Sequence, residues 1–278
     1  MRNLYTNLTE FSKKSVIDLY GANLSLVHGF AATRYNKTID LSTAKGLNGV
    51  WDLGYAEYVD LSFADLTHAI LLLNPKARCI QISCAEGLKG SFDLGAVDML
   101  YAKAIDLAEV QIRFNPNASR IHLSFAKNLR GVLDFGNVQE LSLASTDVSA
   151  VKFLKLNPNA KKLDLSNVIG LRGVLYFNNV ANLILRYSDL SNVSDIKFNK
   201  HAEVIDLAAT KGLKGVLDFG YAKVVNLRNA NLSLVPKIIC GSNTKLQDLP
   251  ANWRGEIIRL GVPRTVQNKI IQHENGGR

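Results

Sequence analysis

Long apolar runs are missing from this sequence. No window approaches the roughly 20 consecutive apolar residues that a membrane helix needs, so no membrane-spanning helix is expected. Cysteine is scarce too: there are 3, Cys79, Cys84 and Cys240. An odd number at unrelated spacings makes no disulfide framework and fits a reducing compartment. The opening stretch "MRNLYTNLTEFSKKSV" lacks the apolar h-region of a Sec-type signal peptide. The expected location is therefore cytoplasmic, or exported without a cleavable signal. Disorder is not expected: 47% of the 278 residues are hydrophobic, ample for a continuous core. The net charge of +9 permits attraction to nucleic acid, anionic lipid or an acidic protein, and chooses none of them.

What the sequence has in abundance is repetition. "GLKGVLDFG" at 212–220 recurs as "GLNGVWDLG" (46–54), "GLKGSFDLG" (87–95), "NLRGVLDFG" (128–136) and "GLRGVLYFN" (170–178). An apolar–x–apolar tripeptide recurs as well. Its first residues are Ile17, Ile39, Val59, Ile80, Leu100, Ile121, Leu141, Leu163, Leu183, Ile205, Val225 and Leu246, at intervals of 20 to 22. A period near 20 sustained this long is the mark of a solenoid. Two coil types alternate. Type A, such as 39–58 and 205–224, is always 20 residues, and type B, such as 141–162 and 183–204, is 21 or 22. The repeating unit is thus a pair of about 42 residues.

Each coil starts with a short strand whose first and third residues point inward and whose middle residue points outward. A small residue follows, as at Ala22, Ala44, Ala64, Ala85, Ala126, Thr146, Ser188, Thr210 and Ala230, then an inward Leu or Val. A second strand-like run comes next, "GVLDF" in type A and "IRF" or "IKF" in type B. "NPKA" (74–77) and "NPNA" (115–118 and 157–160) are turns, because Pro fixes φ at the second position and Asn suits the first.

The pattern LxLxx(small)xL at this period resembles a leucine-rich repeat protein, most clearly in Leu163, Leu165 and Leu171 of "LDLSNVIGL". "LKGVL" also resembles the "LSGxIP" segment of plant-type repeats. The resemblance covers about 17–250 and implies a mainly β, right-handed parallel solenoid. A right-handed β-helix is the structural alternative. One departure is clear: the usual inner-loop Asn or Cys is Ala, Thr or Ser here, so no Asn ladder can form there and the loops need other donors. The expected organisation is an N-terminal cap at 1–16, the solenoid at 17–250, and a C-terminal cap at 251–278. The caps are expected to be short and helical. The last is expected to hold a helix over 263–274, with Trp253 shielding the final coil and no catalytic domain behind it.

The chemical signals are weighed against structural ones. A phosphate loop needs GxxxxGK[ST] between strand and helix, and "GLKGVLDFG" lacks that spacing. Its glycines read as residues for positive φ or close approach between coils. His28, His68, His122, His201 and His273 fall at different repeat phases, so no metal site is expected, and no cofactor.

The outward strand positions include Asp18, Asp40, Asp60, Tyr101, His122, Asp164 and Asp206, flanked by Arg186 and Arg228. The resemblance implies that this sheet lines a concave face where partners bind. Asp and Ser there could equally serve only to keep an exposed sheet soluble. Lys45, Lys89, Lys127, Arg130, Arg172, Lys211 and Lys214 should line one edge, either as an anionic-partner stripe or as a solvated edge that prevents sideways pairing.

The expected function is a non-enzymatic protein-interaction scaffold with a protein partner, of the kind that bacterial effectors use. Nucleic acid is not the expected partner, since exposed aromatics do not interleave the basic stripe. Two alternatives stand beside it. One is a β-helix protein that binds or cleaves polysaccharide, since paired carboxylates can serve glycoside hydrolysis. The other is a structural or self-assembling repeat.

Overall fold

The computed structural model describes residues 8–261. The tripeptide repeat folds into a mainly β, parallel solenoid. Two compact units, Met1–Leu156 and Asn157–Arg278, make it up. In the first unit the repeat forms the short strands Val16–Asp18, Thr38–Asp40, Tyr58–Asp60, Cys79–Gln81, Met99–Tyr101, Arg120–His122 and Glu140–Ser142. Each pairs in parallel with the next, and Ile17, Ile39, Val59, Ile80, Leu100, Ile121 and Leu141 stand in one register column. We number the turns 1 to 7 by these strands. In the second unit the strands Lys162–Asp164, Asn182–Ile184, Val204–Asp206, Val224–Asn226 and Lys245–Gln247 begin turns 8 to 12. Their column is Leu163, Leu183, Ile205, Val225 and Leu246.

The "GVLDF" runs build a second side, and there the A and B coils act as partners. Asn48–Leu53 pairs with His68–Leu73, Gly90–Asp93 with Val110–Arg113, and Gly131–Phe135 with Val151–Leu156. In the second unit Gly173–Tyr176 pairs with Val193–Lys197, and Lys214–Gly220 with Leu234–Gly241. Each type A run pairs with the type B run that follows it. Several of these pairs are separate two-stranded sheets, whereas the short strands run on from turn to turn within a unit.

Inward residues pack the interior of the turns. In turn 2 Ile39, Leu41, Ala44, Leu47, Trp51, Leu53 and Ala56 are all at most 1% exposed. A fully buried Leu or Ile contributes about 1.5–3 kcal/mol, so stacked ladders of such residues supply the main stabilisation. Aromatic steps continue the ladders, with Phe114 and Phe135 ring centroids 5.3 Å apart and Phe198 and Phe219 5.1 Å apart.

The corners explain the recurring Asp, Asn and Gly. Asp and Asn side chains bond the backbone two residues on and so close turns. Asp52, Asp93, Asp134 and Asp218 accept the N–H of Gly54, Gly95, Gly136 and Gly220. One residue per corner adopts positive φ, among them Thr43, Phe63, Cys84, Ala104, Phe125 and Ser145 in the first unit and Asn167, Tyr187, Ala209 and Asn229 in the second. For a residue with a Cβ this costs about 1–2 kcal/mol. In "GLKG" the first glycine is needed for contact as well. A Cβ on Gly87 would lie 2.5 Å from the Thr67 Cα, and one on Gly46 would lie 2.8 Å from the Ser25 Cα.

The missing inner-loop Asn is made good elsewhere. In the first unit Asn74 and Asn115 of the NP turns donate from Nδ2 to the Ala56 and Val97 carbonyls, at 2.9 and 3.0 Å. Asn199 does the same to Val180 in the second unit. The asparagine thus recurs in type B coils, at a different corner. At the inner loop itself, Ser188 and Thr210 hydroxyls donate to the Leu165 and Leu185 carbonyls of the preceding turn.

At the start of the chain, residues 8–15 lie against the first coil, held by a short 3-10 helix at Thr9–Phe11. Asn36 is fully buried there and donates to the Phe11 and Lys14 carbonyls. Toward the other end, Trp253 is half-buried and donates from Nε1 to the Val235 carbonyl at 2.7 Å, with Gly255 against its ring. The helix expected over 263–274 lies outside the described residues.

Candidate recognition face

The strand periodicity sends three columns of side chains outward in the first unit. Asp18, Asp40 and Asp60 occupy the middle column of turns 1 to 3, on directly paired strands. Each uses Oδ1 to accept a backbone N–H two residues on, from Tyr20, Ser42 and Ser62 at 3.1, 2.8 and 2.8 Å. The recurrent Asp therefore closes a corner, which accounts for its place in the repeat without any ligand.

Turns 4 to 7 break that pattern in succession, with Gln81, Tyr101, His122 and Ser142 in the same column. The structure brings Tyr101 and His122 together, edge to face, with centroids 5.2 Å apart and planes at 77°. Arg120 donates from Nη1 to the Tyr101 hydroxyl at 2.9 Å and from Nε to Glu140 Oε2 at 2.8 Å. The bonds to Glu140 first and Tyr101 second raise the Arg120 pKa above its ordinary value. Ser124 and Ser142, both buried, share a hydroxyl hydrogen bond of 2.8 Å. A fixed guanidinium among aromatic rings offers contact area at little cost in side-chain entropy, as recognition surfaces use it.

The expected site residues did not include Arg120 and Glu140. They stand one residue before the apolar strand position, which strand alternation also sends outward. That alternation was the signal available. Two exposed aromatics, Phe63 and Phe125, sit at the positive-φ corner beside this face, which the linear pattern does not reveal.

In the second unit Asp164 accepts both the N–H and the hydroxyl of Ser166. Asp206 is almost wholly buried and accepts from Arg186 Nε, Asn226 Nδ2 and the Ala208 N–H. The structure thus joins Arg186 and Asp206 into one bonded group. Arg228 stands two turns from Arg186 in its column and remains exposed.

The basic residues follow two rows. Lys45, Lys127 and Lys211 are exposed, and their backbones bridge to Asn23, Asp106 and Asp189 of the preceding type B coils. An Asn or Asp of the preceding coil therefore stands beside each of these lysines. Asp65, Asp106 and Asp189 have pKa values below the ordinary 3.8. Side-chain hydrogen bonds from Thr67, Asn128 and Ser191 are the largest causes, and Lys45, Lys127 and Lys211 add a smaller electrostatic pull. In the second row Lys89 and Arg130 reach back to the Thr67 and Ala108 carbonyls of the preceding turn. Arg172 and Lys214 occupy the same phase and are exposed.

His201 stacks on Tyr221 in the second unit, with ring centroids 6.1 Å apart. Burial chiefly pushes the Cys79 thiol above its ordinary pKa, with Asp60 and Asp98 adding to the effect. Among the described residues no group of three His, Cys, Asp or Glu side chains is placed to hold a metal ion. No described helix is long and apolar enough to cross a membrane. No protein-family model matches the chain, and neither the curated proteins nor the solved structures give a match.

Proposed function

We propose that this protein is a non-enzymatic binding scaffold, built on a leucine-rich-repeat-like pattern, that holds a protein partner on the outward face of the short-strand sheet of its first unit. The observation that carries this reading is the succession Gln81, Tyr101, His122 and Ser142. Four consecutive turns abandon the corner-forming Asp, and two of the replacements join Arg120 and Glu140 in one connected patch. Solubility alone would be served by any polar residue there. An aromatic pair buttressed by arginine is instead what interface centres are enriched in. The glycine-rich segments keep a structural role, since their positive φ and tight contacts already account for them.

The test uses the full chain with a photo-crosslinking residue at Gln81, on the face, or at the exposed Val132, on the Gly131–Phe135 strand of the same unit's second side. A partner should crosslink from Gln81 and not from Val132, and Tyr101→Ala with His122→Ala should reduce its capture at least about tenfold, the scale of one lost interface anchor. Equal crosslinking from both positions, or capture unchanged by the double variant, would refute the reading.

A further inference from the structure

Phe63 and Phe125 are the feature of the first unit that stability does not explain. They fall in the identical tetrapeptide "LSFA", at 61–64 and 123–126. Both sit at the corner with φ of 60° and 62°. Both are largely exposed, at 64% and 59%. A bulky side chain at positive φ is strained, and an exposed one recovers little of that cost by packing. The same corner in the second unit is occupied by Asn167 and Asn229 at φ of 53° and 57°, a residue type that tolerates this conformation, by Ala209, and by one more exposed aromatic, Tyr187 at φ of 59°. Turns 4 and 5 place Cys84 and Ala104 between the two rings, so the rings stand as posts about 14 Å apart, three strand spacings.

The charge on the adjoining face indicates what the posts would grip. Asp18, Asp40 and Asp60 have no salt-bridge partner among the described residues. Arg120 is already committed to Glu140, and Lys103 is the one further cation among the outward positions of turns 1 to 7. The face is acidic over turns 1 to 3, up to the turn that carries Phe63, although the chain as a whole carries +9.

We propose that Phe63 and Phe125 are anchor posts for an extended, lysine- or arginine-rich polypeptide segment of the partner, laid across the strands. At about 3.3 Å per residue, posts 14 Å apart match side chains some four residues apart in such a segment. Cations near the rings and the aspartates would gain both cation–π and Coulombic attraction. This inference rests on the reading of the sheet face as the recognition surface.

The experiment screens the full chain against an immobilised peptide library of basic, acidic and neutral eight-residue members, with single-stranded oligonucleotides and neutral glycans alongside. Wild type should enrich basic peptides, and their binding should fall steeply with added salt. Phe63→Asn with Phe125→Asn should weaken that binding at least about tenfold, while the melting temperature stays level or rises. Enrichment of acidic peptides, oligonucleotides or glycans instead would overturn the proposal, as would undiminished basic-peptide binding by the double Asn variant. If that variant keeps full binding but Tyr101→Ala with His122→Ala loses it, the posts are refuted and the face is upheld. If neither variant loses binding, both readings fall.

Discussion

Two glycines three residues apart separate backbone strain from coil-to-coil contact. Gly212 and Gly215 share a positive φ, at 75° and 70°. A Cβ on Gly215 would meet nothing within 4 Å, whereas one on Gly212 would lie 2.2 Å from the Ser191 nitrogen and 2.6 Å from the Leu190 carbonyl carbon. Gly215→Ala therefore pays only for conformation. That is about 1–2 kcal/mol, offset by about 0.4–1 kcal/mol from a less flexible unfolded chain, for a net loss near 1 kcal/mol. Gly212→Ala adds a clash with backbone atoms that cannot rotate aside. Relieving it means prising turn 10 from turn 9, where Leu190 N–H to Lys211 O and Lys211 N–H to Ser188 O are each 2.9 Å. Overpacking costs about 1–3 kcal/mol and each weakened hydrogen bond about 0.5–1.5 kcal/mol, so the total loss should reach about 3–5 kcal/mol. Urea unfolding followed by far-ultraviolet circular dichroism measures both variants, with the denaturant slope checking that the transition stays comparable. Losses equal within about 0.5 kcal/mol, the usual spread of a surface substitution, would refute close approach as the reason for glycine at 212.

Two further outcomes are expected. Asn115→Ala strips the Val97 carbonyl of its donor and the Asn117 N–H of its acceptor, and should lower stability by about 1–3 kcal/mol in urea melts. A loss below about 0.5 kcal/mol would show that water replaces both bonds. The second outcome concerns Asp65, Asp106, Asp147 and Asp189, whose folded pKa values lie below the ordinary 3.8. Their contribution is complete above the unfolded value and is lost as pH falls below 3.8 and through the folded values. Changing all four to Asn keeps the turn acceptor and removes the titration, as Asn23 and Asn231 illustrate in turns 1 and 11. The variant's stability should fall less steeply on acidification, and an unchanged slope would place the pH dependence elsewhere.

Much of the architecture was legible because it rests on period. The tripeptide column from Ile17 to Leu141 and that from Leu163 to Leu246 appear in the structure in the register the sequence spacing required. The positive-φ roles of Gly46, Gly87, Gly173 and Gly215 followed from glycine chemistry alone. The corner chemistry was harder to see, because an Asp in a strand tripeptide looks like a solvent-facing residue until its Oδ1 is found on the next backbone N–H. The link from Arg120 to Tyr101 and Glu140 was invisible for a related reason. Its members are some 20 residues apart and meet only through strand register. Phe63 and Phe125 were hidden because conformation, unlike hydropathy, leaves no mark in composition.

The coupling of each type A run to the type B run after it limits how such a chain can change its length. An A coil brings a tight "GLKG" corner that fits against the B coil before it, and a "GVLDF" strand that fits the B coil after it. Removing a single coil would set two like coils side by side, with clashing corners or unmatched edges. Duplication or loss of a whole pair would leave every neighbour relationship as it was. Growth by recombination is thus quantised in steps of two turns, and new specificity can be added by copying a pair and letting its outward column diverge.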